Sequence, residues 1–274
     1  MNRNRTRLLA IPYIVWVIGF TVIPLVFIIT KAITDGDGAL TVSNLLAIFS
    51  PLHRKALLMS LALASVSTVI CIIIAYPVAI VLRSSHFRNK NIILFILILP
   101  MWMNFILRIL AMQLLISNNG VINHILTVMN LRPLKIINTP RAIVLGMVYD
   151  YLPYMMLPIM NSVLSISEDV IEAAKDLGSD RLHVLTRIII PLSLGGVGSG
   201  ITMVFVPSMT EFVIANILGG GKIQLLGNII EQEFTVTMNW NLGSGISVSL
   251  MIFVLITSFI FGRSSEDAAA GISL

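Results

Sequence analysis

Three ionisable residues interrupt otherwise apolar stretches of the sequence: Arg108, Asp150 and Glu211. A charge at the centre of a bilayer costs about 2.5–3.5 kcal/mol on insertion scales, so such residues usually face a partner or a water-filled route. The two acids could accept cations along a translocation route. Alternatively, Arg108 could form an internal ion pair with Glu211 or Asp150 that only holds spans together. The sequence leaves both interpretations open, and a pair that opens during transport would satisfy both.

Aromatic and amide side chains lie close to these charges along the chain. Aromatic faces attract ammonium groups, so Trp102 and Tyr149 are candidate cation–π partners. Trp102 is equally typical of the aromatic belt at a membrane interface. We therefore expect a substrate pathway to draw on Trp102, Asn104, Arg108, Tyr149, Asp150 and Glu211.

No catalytic or metal-binding constellation is predicted. The Gly-Gly-Gly-Lys sequence at 219–222 lacks both the upstream glycine spacing and the following hydroxyl residue of an ATP-binding phosphate loop. The four histidines are scattered, without paired metal-ligand spacing, and no Gly-x-Ser-x-Gly nucleophile elbow occurs. We expect a chain that is not an enzyme, that binds no metal or other cofactor and that does not hydrolyse ATP alone.

Membrane helices must hold these residues. Of the 274 residues, 57% are hydrophobic and only 11% are charged, whereas soluble domains carry roughly 25% charged residues. Six apolar runs reach the roughly 17–25 residues that cross a bilayer as a helix. The predicted fold class is an all-α membrane protein with six transmembrane helices, in one membrane domain over 1–274. The spans are predicted at 8–30, 56–82, 92–116, 141–164, 192–218 and 244–261.

The distribution of basic residues favours one orientation of these spans. Six spans place both termini on one side, and ten Lys and Arg residues fall on that side against seven on the other. The ten lie in short segments near span ends, such as 1–7 and 83–91, where they orient a membrane protein most strongly. We predict that both termini and the segment 165–191 lie in the cytoplasm. Basic residues in this context do not indicate nucleic acid.

The segment 165–191 is the longest polar, charge-dense stretch between two strongly apolar runs. Ser165-x-x-Glu168 fits a capping box, so a helix is expected to begin just after the fourth span. Close spacing of apolar residues predicts one apolar stripe on this helix. The stripe consists of Val170, Ile171, Ala174 and Leu177.

A turn and a second helix are predicted to follow. Gly178 suits the left-handed position that ends a helix. Ser179 can cap the second helix, with Asp180 favourably placed at its N-terminus. Pro191 is expected to break or kink the chain before the fifth span. Such a helix–turn–helix either packs on its own bundle as an amphipathic connector or contacts a partner outside the bilayer.

One set of residues in this segment has a characteristic spacing: Glu172, Ala173, Ala174, Gly178, Ile188 and Pro191. This spacing resembles the EAA motif of ABC importer permeases, with mild apolar departures at Leu185 and Ile190. In that family the motif forms coupling helices that dock into a groove on a cytoplasmic ATPase subunit. The resemblance implies ATPase coupling by Glu172, Ala173, Ala174, Asp176, Gly178, Arg181 and Pro191.

Three further stretches extend the resemblance: Leu-Pro-Met-Trp-x-Asn-x-x-x-Arg at 99–108, Gly-Val-Ile-Asn at 120–123, and Gly-Gly-Gly-Lys-x-x-x-x-Gly-Asn-x-Ile at 219–230. With the order of spans, they resemble PotB-type permeases of spermidine/putrescine importers across nearly the whole chain. Met101 stands where that family often has an aromatic residue. The resemblance implies the ABC type I importer permease fold with cytoplasmic coupling helices.

The resemblance also implies a function and an assembly. The chain would sit in the bacterial cytoplasmic (inner) membrane and form half of a translocation pathway for polyamines. Its partners would be a second homologous permease subunit, two ATPase subunits that use ATP and Mg²⁺, and an external polyamine-binding protein. Two alternatives stay open. One is a permease for another small solute, and the other is an ion-coupled secondary transporter, which would need an internal repeat and broken half-helices.

Overall fold

The computed structural model describes residues 11–84, 92, 95, 96 and 98–270, with side chains as far as residue 259. Helices dominate this part of the chain, and the isolated antiparallel bridge between Thr34 and Leu40 is its one β contact. Six of the described helices are long and apolar enough to cross a membrane. The predicted all-α membrane class with six spans is confirmed.

Ten helices account for most of the described residues. Short helical turns at Ser43–Leu46, Ala47–Phe49 and Leu99–Trp102 lie between them. The third candidate span, Phe105–Val128, is divided by a turn into two helices. The bounds are α1 Ile11–Ala32, α2 Pro51–Ser84, α3 Phe105–Ile116, α4 Val121–Val128, α5 Pro140–Ser165, α6 Glu168–Asp176, α7 Arg181–Met209, α8 Val213–Gly219, α9 Leu226–Thr235 and α10 Trp240–Ala270.

One compact unit comprises Met1–Lys55 and Ile229–Phe253. In its described part, the backbone oxygen of Thr34, just after α1, accepts two side-chain hydrogen bonds. The Asn44 amide donates at 2.9 Å, and the Asn241 amide of α10 donates at 2.5 Å. Because the Thr34 oxygen accepts hydrogen bonds from both amides, the chain that follows α1 is held against the start of α10.

The second unit comprises Ala56–Asn228 and Val254–Leu274. Helix α5 is the most buried of the six spanning helices, and it packs along α7. Small residues make this packing close. A Cβ atom on Gly196 of α7 would lie 2.5 Å from the Ser162 Cβ and 2.6 Å from the Pro158 carbonyl oxygen of α5. The backbones of α5 and α7 therefore approach each other at a distance that only glycine allows.

Helix α8 is held against α3 and α5. The Gln113 side chain of α3 donates to the Ile217 carbonyl oxygen of α8 at 2.8 Å. A Cβ atom on Gly146 of α5 would lie 2.5 Å from the Leu218 side chain. A hydrogen bond from α3 and close apolar packing against α5 therefore hold α8 in place, although α8 has only seven residues.

The third span departs from its prediction over 92–116. Helix α3 begins only at Phe105, after a 3₁₀ turn over Leu99–Trp102 that contains Pro100. Proline lacks the N–H group that a continuous helix needs, and the Asn104 side chain then caps α3 by accepting from the Leu107 N–H at 3.2 Å. Residues 93, 94 and 97 of this predicted span, and the basic segments 1–7 and most of 83–91, lie outside the described residues.

The fifth span also differs from the predicted 192–218. Helix α7 starts earlier, inside the polar segment, and runs through Pro191 without a break. A π-helical turn over Leu185–Ile189 precedes the proline, and its wider ladder lets the helix continue past a residue that has no N–H to donate. The chain breaks later, between α7 and α8, so of the predicted break or kink at Pro191 the break does not occur. The fifth span is also shorter than predicted at its far end.

Two stretches predicted as polar connections contain helices. The connection 117–140 holds α4, and the connection 219–243 holds α9. In the first, the buried Asn123 side chain accepts the Leu134 N–H at 2.7 Å and donates to three carbonyl groups. One buried amide thus fixes α4 to its flanking loops. The second and fourth spans differ from their predicted bounds by at most five residues at either end. The first span ends two residues later than predicted, and its predicted start at 8–10 lies outside the described residues. The last helix starts four residues earlier than predicted and continues to Ala270, nine residues past the predicted end.

The close packing of α5 and α7 can be tested by adding one methyl group. We predict that Gly196→Ala lowers the free energy of unfolding of the detergent-solubilised chain by about 1–3 kcal/mol, because overpacking against a backbone oxygen outweighs the better helix propensity of alanine. Ser199→Thr adds one methyl group on the exposed side of the same helix and should leave the unfolding midpoint close to that of the unmodified chain. An unchanged midpoint in Gly196→Ala would contradict the close approach.

Candidate functional site

The start of α6 is set by its acidic first turn. Helix α6 begins at Glu168, and its N-cap Ser167 makes no side-chain capping bond. The predicted capping box is wrong, because Ser165 is still the last residue of α5 and its hydroxyl donates to the Ser162 carbonyl at 2.8 Å. Glu168 and Asp169 stabilise the helix start through the helix dipole instead.

A tight turn follows α6, as predicted. Gly178 has φ +85°, and its N–H donates to the Lys175 carbonyl at 2.8 Å, while the Ser179 N–H donates to the Ala174 carbonyl at 3.0 Å. Gly178 therefore occupies the predicted left-handed position. Asp180, rather than Ser179, caps the next helix by accepting the His183 N–H at 2.7 Å.

The predicted apolar stripe of α6 is only half correct. Ile171 is buried, and Ala174 packs against the core, but Val170 and Leu177 are exposed. The buried side of α6 is centred on Ile171, so Val170 falls at its edge, and Leu177 already lies beyond the last helical residue. The sequence pattern therefore missed an outward-facing apolar residue: the Leu177 side chain is 88% exposed.

The exposed side of α6 and its turn form one continuous surface, the α6 surface. It combines small, acidic, apolar and basic side chains, and nothing in the described chain covers it. Leu177 is the large apolar side chain that is exposed among these small and charged ones. The α6 surface consists of Glu172, Ala173, Asp176, Leu177 and Arg181.

The charges inside the membrane helices are paired. Arg108 of α3 is buried and donates from Nη2 to Asp150 of α5 in a short ion pair, and from Nη1 to the Pro100 carbonyl at 2.8 Å. Its guanidinium carbon lies 5.8 Å from the centre of the Tyr149 ring. Of the two ion pairs that the sequence left open, this structure forms Arg108–Asp150 and not Arg108–Glu211.

Glu211 has a different partner. It is buried in the break between α7 and α8, rather than within a span helix as predicted. Its Oε1 accepts the Ile214 N–H at 2.9 Å, and its Oε2 accepts the Tyr151 hydroxyl at 2.5 Å. Because the first N–H groups of a helix lack helical partners and attract negative charge, this carboxylate stabilises the start of α8.

Tyr151 is a residue that sequence reasoning missed. It follows Asp150 directly in α5, so adjacent residues connect the Arg108 ion pair to Glu211. Its hydroxyl group, inside an apolar run, is the feature in the sequence that could have drawn attention to it, since buried hydroxyls seek partners.

The remaining candidate pathway residues lie in other surroundings. Trp102 is mostly exposed, and its ring meets the Phe95 ring edge-on at 5.8 Å. Asn104 caps α3. The structure thus brings Arg108, Tyr149 and Asp150 together, and the described contacts of Trp102 and Asn104 are with other residues. Among side chains that the structure describes, no three His, Cys, Asp or Glu residues gather as a metal site.

Residues 72–265 match the family described as "Binding-protein-dependent transport system inner membrane component". The chain belongs to this family. It is therefore a multi-pass inner-membrane component of such a transport system, as predicted from the resemblance to ABC importer permeases.

Curated relatives and solved structures agree with this assignment. The spermidine/putrescine transport system permease protein PotB of Haemophilus influenzae is 32% identical over 92% of this chain and 91% of its own length. PotB of Escherichia coli is 32% identical over 92% of this chain and 94% of its own length. The predicted resemblance to PotB-type permeases is confirmed.

Two solved ABC importers share the fold. A bacterial ABC transporter that imports the acidic polysaccharide alginate matches with a TM-score of 0.76 at 14% identity, over 95% of this chain and 94% of its own. The MetNI methionine ABC transporter matches with a TM-score of 0.57 at 19% identity, over 80% and 97%. These matches confirm the predicted permease fold.

The Arg108–Asp150 pair yields a prediction for stability. We predict that Arg108→Met or Asp150→Leu alone lowers the free energy of unfolding by about 3–5 kcal/mol, because each leaves an unpaired buried charge. The double variant should lose much less than the sum of the two single variants. Unfolding of the purified chain in detergent measures all three, and additive losses would show that the two residues are not coupled.

Tyr151 and Tyr154 offer a matched comparison on one helix. Tyr151→Phe leaves the buried Glu211 carboxylate with one hydrogen bond fewer, so we predict a loss of about 1–3 kcal/mol in unfolding free energy. Tyr154→Phe removes a hydroxyl from a partly exposed ring and should have a smaller effect. Equal effects on the unfolding midpoint would exclude a special role for the Tyr151–Glu211 bond.

Proposed function

We propose that the chain is the permease subunit of an ATP-driven ABC importer and forms half of the translocation pathway for the polyamines spermidine and putrescine. The observation that carries this proposal is the similarity to PotB proteins over nearly the whole length of both chains. As proposed, 1–274 acts as one membrane domain with both termini in the cytoplasm.

The proposed assembly contains a second homologous permease subunit, two ATPase subunits and an external polyamine-binding protein. The ATPase subunits bind and hydrolyse ATP with Mg²⁺, and the chain itself is neither an enzyme nor the holder of a cofactor. The solved alginate transporter, which shares this fold, is described in complex with a periplasmic protein. The shared fold supports the proposed type of assembly.

The α6 surface is the proposed ATPase contact. Ala173 is small enough for another surface to approach closely, and Leu177 supplies an exposed apolar side chain at its edge. The turn at Gly178 leads into Arg181, the first residue of α7. Because α7 is continuous through Pro191, a movement imposed on the α6 surface would pass directly into a membrane helix. Coupling is thus assigned to Glu172, Ala173, Ala174, Asp176, Gly178, Arg181 and Pro191.

The charges in the membrane favour a cationic solute. The site contains two acids and one arginine: Arg108 pairs with Asp150, whereas Glu211 binds Tyr151, so the acids exceed the arginine by one. An ammonium group could satisfy that excess, with the half-exposed Tyr149 ring as a cation–π partner. Arg108 would release Asp150 as the solute passes. Trp102 and Asn104 complete the proposed pathway as lining residues.

Transport by the reconstituted complex tests the proposed function directly. The permease pair, the ATPase subunits and the binding protein are reconstituted in vesicles, and uptake of labelled spermidine and putrescine is measured with and without ATP. ATP-dependent uptake of either polyamine supports the proposal. ATP-dependent uptake of another solute alone would sink the polyamine assignment, and uptake driven by an ion gradient without ATPase subunits would indicate a secondary transporter.

The coupling role of the α6 surface gives a second test. We predict that Glu172→Gln and Gly178→Val each lower ATP-dependent uptake by about tenfold, a typical size for the loss of coupling between sites. The valine variant places a β-branched residue at φ +85°, which distorts the turn.

Matched controls lie in the first connection. Gly38 has φ +81° with open space around it, so Gly38→Val imposes the same backbone strain outside α6 and its turn, and Asp37→Asn removes an exposed acid next to it. Both controls should retain uptake and ATPase co-purification. If Glu172→Gln and Gly178→Val also retain both, the coupling assignment is wrong.

A further inference from the structure

Arg83, in the last turn of α2, is a buried arginine with an unusual set of contacts. Its side chain is only 7% exposed. Nη1 donates to the Val163 carbonyl oxygen at 2.5 Å, and Nη2 donates to the Ile166 carbonyl oxygen at 2.7 Å. Burying a guanidinium is costly unless its donors are satisfied, so these bonds set the position of the side chain.

Both acceptors belong to one junction of the chain. Val163 lies in the last turn of α5, where carbonyl groups lack helical partners, and Ile166 is the C-cap residue directly after α5. A cation at this position also interacts favourably with the dipole of α5. The next helix, α6, begins only two residues later. One side chain from α2 therefore holds the hinge between α5 and α6.

The third contact is weaker. Arg83 Nη2 lies 3.9 Å from Glu168 Oε1 at the start of α6, but the Glu168 side chain is 71% exposed. Exposed ion pairs contribute little because water screens them. The two carbonyl bonds therefore carry the connection. Their geometry suits a planar fork of two N–H groups, which arginine supplies and lysine does not.

We propose that Arg83 is a positioning residue that transmits movement of the α6 surface to the end of α2. This inference rests on the proposed coupling role of that surface. The turn at Gly178 connects α6 to α7, and Arg83 connects the other end of α6 to α2 and α5. A movement of α6 would then reach three membrane helices together rather than α7 alone.

A purely structural role of Arg83 and a role in coupling predict different effects when the side chain is changed. If Arg83 only stabilises the fold, its loss lowers stability, assembly and every activity of the complex in parallel. Loss of a coupling link leaves the complex assembled and hydrolysing ATP, while less solute moves for each ATP hydrolysed. The ratio of solute imported to ATP hydrolysed therefore separates the two roles.

The test uses the complete reconstituted complex with Arg83→Gln or Arg83→Lys. For both variants we expect co-purification of the ATPase subunits, hydrolysis within about twofold of the unmodified complex, and a ratio of solute imported to ATP hydrolysed that falls about tenfold. Arg54→Gln, at an exposed position in the first turn of the same helix, should leave the ratio unchanged. A normal ratio in Arg83→Lys would overturn the requirement for the fork, and a parallel fall of assembly, hydrolysis and uptake would overturn the coupling role.

A second measurement does not depend on transport. Spin labels at Ser84→Cys and Lys175→Cys, both exposed positions, report the distance between the end of α2 and α6. Arg83→Gln should broaden this distance distribution, and an unchanged distribution would refute the link. If the unmodified complex imports no polyamine, the proposed substrate fails, but the distance measurement still decides the role of Arg83.

Discussion

Buried polar groups must find partners inside an apolar bundle, and this requirement determines how α3, α5 and α8 meet. Arg108 reaches from α3 to Asp150, and the next residue of α5, Tyr151, reaches Glu211 at the start of α8. Gln113 of α3 closes the group by binding a carbonyl of α8. Because each bond satisfies a group whose burial would otherwise be costly, the three helices are specified as a set.

The same requirement explains why the fifth span is broken where it is. A break in a membrane helix leaves N–H groups without partners, and these are tolerated only where protein satisfies them. The Glu211 carboxylate accepts one of them and is itself held by Tyr151. Continuity is preserved at the other end, where the π-helical turn carries α7 past Pro191. The helix is therefore continuous near the α6 surface and interrupted near the buried Glu211.

Local chemistry could be predicted from the sequence, and contacts between distant residues could not. Gly178 was predictable, because a left-handed turn between two helices favours glycine whatever surrounds it. The six spans were predictable from the length and composition of apolar runs. The capping box failed because Ser165 remained in α5. The position of Glu211 was missed because the Tyr151 hydroxyl that binds its carboxylate lies sixty residues away along the chain. Arg83 looked like an ordinary basic flank, since its acceptors are backbone carbonyls eighty residues away.

Stability and transport place opposite demands on the buried charges. A fully paired set of charges stabilises one arrangement of helices, but a solute that carries its own positive charge can be exchanged for an internal cation at little net cost. In the proposed pathway, two acids against one arginine would favour such an exchange for an ammonium group over an anion. Asp150 lies on α5, whose end Arg83 contacts, and Glu211 lies just after the end of α7. In the proposed mechanism, movement at the α6 surface would therefore reach the helices next to these buried acids.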